Sequence, residues 1–192
     1  MNRFLFLYTA LLLAGSLRAQ AQMGRNSVRL GVDLTSLDAP DAVGPRYVGR
    51  FARHFRQDRL LFTAEAGYMR LATTNQPFNG FDPGDNRRTR LTADVTVLAD
   101  LLPSASHALR LGGGLSAWYR RDDIYRGATR IGLDNVAIDR RSWREVNTGW
   151  HLTAEYEWLF SPDWGVDGRF RVASLGAAGI SSMLGMGISY RF

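Results

Sequence analysis

The chain has 192 residues, 45% of them hydrophobic, with 24 basic and 18 acidic side chains, a formal charge of +6 and no cysteine. That length suits one domain, and the lack of cysteine excludes a disulfide framework, thiol chemistry and cysteine-ligated zinc. Every basic residue is an arginine, and the arginines are interleaved with acids, so no long basic run points to nucleic acid.

The first element is "MNRFLFLYTALLLAGSLRAQA". A cation at Arg3, an apolar run from Phe4 to Ala14 and the small residues of Ala19-Gln20-Ala21 predict a cleaved secretory signal over residues 1–21. The run is shorter than the roughly 20 residues a membrane-spanning helix needs. Residues 22–192 then form the mature chain, whose charge drops from +6 to +4 with Arg3 and Arg18 removed.

Eight segments of period-two alternation follow, the pattern of half-exposed strands. "SVRLGVDLTSL" sets Val28, Leu30, Val32 and Leu34 against Arg29, Gly31, Asp33 and Thr35. "RYVGRFARHF" aligns Tyr47, Phe51 and Phe55. "LLFTAEAGYM" sets Phe62, Ala64, Ala66 and Tyr68 against Thr63, Glu65 and Gly67. "TRLTADVTVLA" sets Leu91, Ala93, Val95 and Val97 against Arg90, Thr92, Asp94 and Thr96. "ALRLGGGLSAWY" sets Leu109, Leu111, Leu115 and Tyr119 against Arg110, Gly112, Gly114 and Ser116. "EVNTGWHLTAEYEWLF" sets Trp150, Leu152, Tyr156 and Trp158 against His151, Thr153, Glu155 and Glu157. "GVDGRFRVAS" sets Val166, Phe170 and Val172 against Asp167, Arg169 and Arg171. "SSMLGMGISYRF" sets Leu184, Met186, Ile188, Tyr190 and Phe192 against Gly185, Gly187, Ser189 and Arg191. Long and short connections alternate through most of the chain, the longest being the 22 residues "RRDDIYRGATRIGLDNVAIDRR". This predicts an all-β, eight-stranded antiparallel up-and-down barrel with both termini on the short-turn side.

A soluble carrier barrel and a transmembrane barrel would place the two faces oppositely. Two features favour the membrane. Aromatics cluster near strand ends: Tyr47, Tyr68, Tyr119 and Trp143 beside the long connections, and Phe55, Phe62, Tyr156, Trp158, Phe160, Trp164, Tyr190 and Phe192 at the other end. Two such belts suit two lipid–water interfaces. The polar face mixes glycines with arginines and carboxylates, which fits a narrow lumen filled by ion pairs. The expected network comprises Arg29, Asp33, Glu65, Arg90, Asp94, Arg110, His151, Glu155, Glu157, Asp167, Arg169, Arg171 and Arg191.

At the end of the chain, Gly187, Tyr190 and Phe192 match the C-terminal assembly signal of bacterial outer-membrane barrels: a glycine, an aromatic three residues on, and a final aromatic. The position two before the glycine, usually polar in that signal, is Gly185. The alternating chain as a whole resembles the small eight-stranded outer-membrane proteins of the OmpA/OmpX type. That resemblance implies residence in a Gram-negative outer membrane, contact with lipid and lipopolysaccharide, insertion by the barrel assembly machinery, and surface partners at the extracellular loops. It implies no cofactor.

Three further readings carry chemistry. His151, Thr153 and Glu155 share one face, as a base, a nucleophile and an orienter would. Lipid A deacylases, another family of eight-stranded barrels, use histidine, serine and glutamate, but there the hydroxyl is serine and the site faces lipid. Here the hydroxyl is threonine and parity points the three residues into the lumen. The structural role is therefore favoured over lipid-modifying catalysis. His54, His107 and His151 lack metal-ligand spacing, so no metal site is expected. In the longest connection, Arg120, Arg121, Arg126, Arg130, Arg140 and Arg141 are either a solvated charged surface or contacts for lipopolysaccharide phosphates. Its "IGLDNVAID" can extend the fifth and sixth strands as a hairpin with an edge open to a partner strand. The expected role is structural or interactive: membrane integrity, adhesion or surface binding by a plugged barrel. A lipid-modifying enzyme, a narrow channel and a soluble periplasmic carrier are the alternatives.

Overall fold

The computed structural model describes residues 26–37, 43–56, 58–73, 84–102, 104–130, 136–176 and 179–192. The expected signal segment, residues 1–21, lies outside them. Eight strands run in chain order: β1 (Asn26–Ser36), β2 (Val43–Phe55), β3 (Leu60–Thr73), β4 (Asn86–Asp100), β5 (His107–Arg130), β6 (Val136–Leu159), β7 (Trp164–Ser174) and β8 (Ile180–Arg191). Each pairs antiparallel with its sequence neighbour, and β1 pairs with β8, so the sheet closes. The seam ends where Asn26 and Phe192 exchange backbone hydrogen bonds of 2.9 and 2.8 Å. Closure leaves no edge within the wall, which a backbone in hydrocarbon requires.

Alternation decides the two faces. Leu30, Leu115 and Met186 are each more than 70% exposed, and Leu111 and Val95 also point outward. Arg29, Arg46, Arg110 and Arg171 are among the most deeply buried side chains of the described residues. An apolar exterior around a charged interior is the inverse of a soluble core, and lipid is the solvent that suits it. Two small apolar clusters share the interior. Ala52, Leu61 and Leu98 form one, and Trp118, Ala173, Leu175 and Met183 the other.

Glycines serve the interior in two ways. A Cβ at Gly185 would stand 1.9 Å from Asp33 Oδ1, so that glycine makes room for a carboxylate. A Cβ at Gly114 would stand 1.8 Å from the Val95 carbonyl oxygen, so that glycine lets β5 close tightly on β4.

The longest connection, read from the sequence as able to extend the fifth and sixth strands as a hairpin, is paired along most of its length. β5 and β6 are 24 residues each and stay paired to Arg130 and Val136, with a bulge between Tyr125 and Gly127. Beyond the membrane both faces of a hairpin meet water, so apolar alternation fades while pairing continues. The hairpin tip, 131–135, is outside the described residues. Trp143 differs from its placement in the outer belt. It stands opposite Asp122, on the inner face, between the guanidinium groups of Arg120 (5.3 Å) and Arg141 (5.1 Å).

Candidate functional site

The lumen is crossed by a lattice of arginines and carboxylates. Its centre holds three of each: Arg46, Arg169 and Arg171 with Asp33, Glu65 and Asp94. Arg46 donates to Asp33 (2.9 Å), Glu65 (3.0 Å), Asp94 (2.6 Å) and the Thr92 hydroxyl (2.7 Å). Arg169 donates to Asp33 (2.7 and 2.8 Å) and to Glu65. Arg171 donates to Glu65 (3.0 Å), Asp94 (2.8 Å) and Thr153 (3.1 Å). Glu65 and Asp94 stand directly opposite each other on β3 and β4. Like charges so placed repel, and Arg46 and Arg171 each bridge the two.

The second layer lies toward the short turns. Arg50 on β2 reaches across the lumen to Glu155 on β6. Arg110 joins Glu155 (2.9 Å) to Glu157 (2.6 Å). Arg191 donates to Glu157 (2.5 Å), and Arg29 donates through Nε to Asp167 (2.6 Å). Toward the long connections, Arg90 and Arg120 both hold Asp122. Among the described residues, eight arginines and seven carboxylates are buried. The eighth arginine, Arg191, also reaches half-exposed Asp58 at 3.3 Å. The interior is thus close to neutral, and arginine's planar fork lets one residue serve several carboxylates.

Histidines join this network through hydroxyls. His151 lies between Thr96 (2.8 Å at Nε2) and Ser116 (2.8 Å at Nδ1). Thr153 is taken by Arg171, and Glu155 by Arg50 and Arg110. The three residues on one face of β6 therefore do not meet as a base, nucleophile and orienter, and all three are buried in the lumen. Another series has the order of a catalytic relay: Ser27 Oγ is 2.9 Å from His54 Nε2, and His54 Nδ1 is 3.2 Å from Asp58 Oδ1. A cleft of about 540 Å³ opens nearby, lined by Asp58, Arg110 and Arg191 among others, but not by Ser27 or His54. Catalysis needs the nucleophile within reach of substrate, so this series is read as a tie between the β2–β3 turn and β1. Arg56 and Asp58 adopt left-handed backbone there, with φ of 50° and 69°. The His54 contact, helped by the charge of Arg191, holds the Asp58 carboxyl below its ordinary value despite partial burial.

Two lattice members of β2, Arg46 and Arg50, escaped the sequence reading, as did Asp122. The signal was present, since Arg46, Arg50 and His54 alternate with Tyr47, Phe51 and Phe55. The six arginines of the long connection do not share one surface. Arg121 and Arg140 lie on the outer face, and Arg140 is held by Asp123 (3.1 Å) and the Asp85 carbonyl (2.6 Å). Arg120 and Arg141 lie on the inner face, over Trp143. Arg126 sits in the bulge, and the side chain of Arg130 is outside those described. At the closing strand, Tyr190 packs on Trp164 and Phe192, with ring centroids 4.9 and 6.2 Å apart. A Cβ on Gly187 would stand 2.6 Å from Arg29 Nε. No group of three His, Cys, Asp or Glu suited to a metal occurs among the described residues.

No known protein-family model matches the chain, and neither does any curated protein. Solved structures do match. The attachment invasion locus protein Ail of Yersinia pestis, in complex with the heparin analogue sucrose octasulfate, shares 12% identity over 89% of this chain and 100% of its own, with a TM-score of 0.58. Neisserial surface protein A shares 13% identity over 88% and 97%, with a TM-score of 0.56. The outer membrane protein OprG of Pseudomonas aeruginosa shares 9% over 88% and 96%, with a TM-score of 0.53. The fold is that of the small eight-stranded barrels of bacterial outer membranes, and its lipid-facing exterior suits that membrane.

Proposed function

We propose that this protein is a non-conducting outer-membrane barrel that stabilises the membrane and presents its β5–β6 hairpin as a binding surface. One observation carries the reading: Arg46, Arg169 and Arg171 span the lumen from β2 and β7 to carboxylates on β1, β3 and β4. An ion crossing the barrel would have to break several buried pairs, each expensive to separate. A narrow channel is therefore disfavoured, and so is a lipid-modifying enzyme whose residues face the lumen.

The hairpin supports the interactive half. β7 pairs with β6 only from Trp150 on. Residues 137–146 of β6 thus present no strand partner on the side away from β5 among the described residues, and such an edge accepts strand addition. Within the same reading, Gly187, Tyr190 and Phe192 are the signal read by the assembly machinery, and lipopolysaccharide is the surrounding lipid.

Planar-bilayer recording tests the central part. Reconstituted protein is expected to give no stepwise conductance at moderate voltage. Reproducible unitary currents from pure folded barrel would overturn the plugged reading.

A further inference from the structure

The register places arginines with no carboxylate partner among the described residues on the outer face, just beyond the lipid band. Tyr68, Leu91, Tyr119 and Val146 stand opposite one another across β3 to β6 on that face. Two residues farther along, the row reads Arg70, Thr89, Arg121, Arg144, and Arg87 follows opposite Asp123. All four arginines are exposed. Two residues along a tilted strand rise about 5 Å along the membrane normal. The arginines therefore sit on the headgroup side of the tyrosines.

Their electrostatics differ from those of the lumen. Inside, facing like charges are bridged by opposite ones, as Glu65 and Asp94 are by Arg46 and Arg171. Arg121 and Arg144 also stand directly opposite each other, an arrangement that repels unless an anion intervenes. No described carboxylate pairs with Arg70, Arg87, Arg121 or Arg144. The acid on that rim, Asp123, is engaged by Arg140.

Below the tyrosines, the next row is Gly49, Ala66, Ala93, Ala117 and Thr148, followed by Phe51, Ala64, Val95, Leu115 and Trp150. Small residues between two larger rows leave an outward-facing apolar groove of about 1060 Å³ in the leaflet on the long-loop side.

We propose that this face binds one diphosphorylated glycolipid of the outer leaflet, its phosphates on the arginine row and an acyl chain in the groove. From Arg70 to Arg144 is three interstrand spacings, about 14 Å. A single phosphodiester covers part of that row, whereas phosphates at both ends of a disaccharide cover it all. Arginine binds each phosphate bidentately. The assignment rests on the outer-membrane reading above.

Full-length protein in phosphatidylcholine nanodiscs, doped with either diphosphoryl lipid A or charge-matched phosphatidylglycerol, tests it by native mass spectrometry of retained lipid. Wild type is expected to retain lipid A at least tenfold over phosphatidylglycerol. The R70Q/R121Q/R144Q variant is expected to lose at least tenfold of that retention. Ala93→Leu, which fills the groove, is expected to lose several-fold. R126Q/R141Q, away from the row, is expected to keep it. Equal retention by the triple variant, or no preference over phosphatidylglycerol, overturns the assignment. Heat-modifiable gel migration checks that each variant folds. A folded barrel without lipid A retention sinks this site alone, whereas a chain that does not insert sinks the outer-membrane reading.

Discussion

Glu65 accepts from three guanidinium groups, those of Arg46, Arg169 and Arg171. Its replacement by Gln leaves a buried cluster with excess positive charge, and breaking a buried pair from one side costs about 3–5 kcal/mol. Guanidinium unfolding in vesicles should show a loss of that size for Glu65→Gln, and a loss below about 1 kcal/mol would contradict the lattice as described. Asp58 gives a pH-dependent counterpart. Its carboxyl is held below its ordinary value, chiefly by His54, so its contribution is present above the unfolded value near 4 and fades as pH falls through the lowered one. The stability difference between wild type and Asp58→Asn should therefore shrink from pH 6 to pH 3, and a constant difference would refute the tie of the β2–β3 turn to β1 through His54. Which residues line the lumen was legible from parity alone, as Arg29, Glu65, Arg110 and Arg169 illustrate. Which carboxylate each arginine takes was not legible. Arg50 stands opposite Glu65 on the neighbouring strand but pairs with Glu155, 105 positions away in sequence. Such partners follow from barrel closure and stagger, which no single strand encodes.

At the scale of elements, the alternating segments were readable wherever one face meets lipid. In the outer halves of β5 and β6 only the hairpin extension at "IGLDNVAID" was readable, and not which face each residue takes, because water on both faces removes the contrast that parity reading needs. β5 also shows how closely two strands of the wall approach. At Gly114 an added Cβ would meet the Val95 carbonyl oxygen at 1.8 Å, whereas at Gly168 it would meet nothing within 4 Å. Gly114→Ala should cost about 1–3 kcal/mol as overpacking against backbone, and Gly168→Ala should stay within about 0.5 kcal/mol of wild type. Equal costs at the two sites would mean that β5 does not approach β4 as closely as described. Phe192→Ala separates assembly from stability. It removes an exposed ring stacked on Tyr190, so the folded barrel should change little. If Phe192 is part of an assembly signal, the inserted yield in cells should drop several-fold, and an unchanged yield would count against that role.

For the whole molecule, the decisive property is inversion. A soluble eight-stranded barrel and this one share strand count and connection order, and they differ in which face holds the charges. Here the charges compensate one another within the lumen, and the apolar face is left for lipid. Under the proposed function, the surface role falls to the β5–β6 hairpin and the arginines around its base, which among the described residues lie beyond the lipid band. The chain has no cysteine, so single cysteines can carry spin labels without background. Labels at Leu30→Cys, Val95→Cys and Leu111→Cys, in vesicles, report collision with oxygen in lipid and with a water-soluble nickel chelate. High oxygen accessibility with low chelate accessibility at all three positions is the predicted result. Labels shielded from both reagents would place these residues in a packed interior and contradict the inversion on which the account stands.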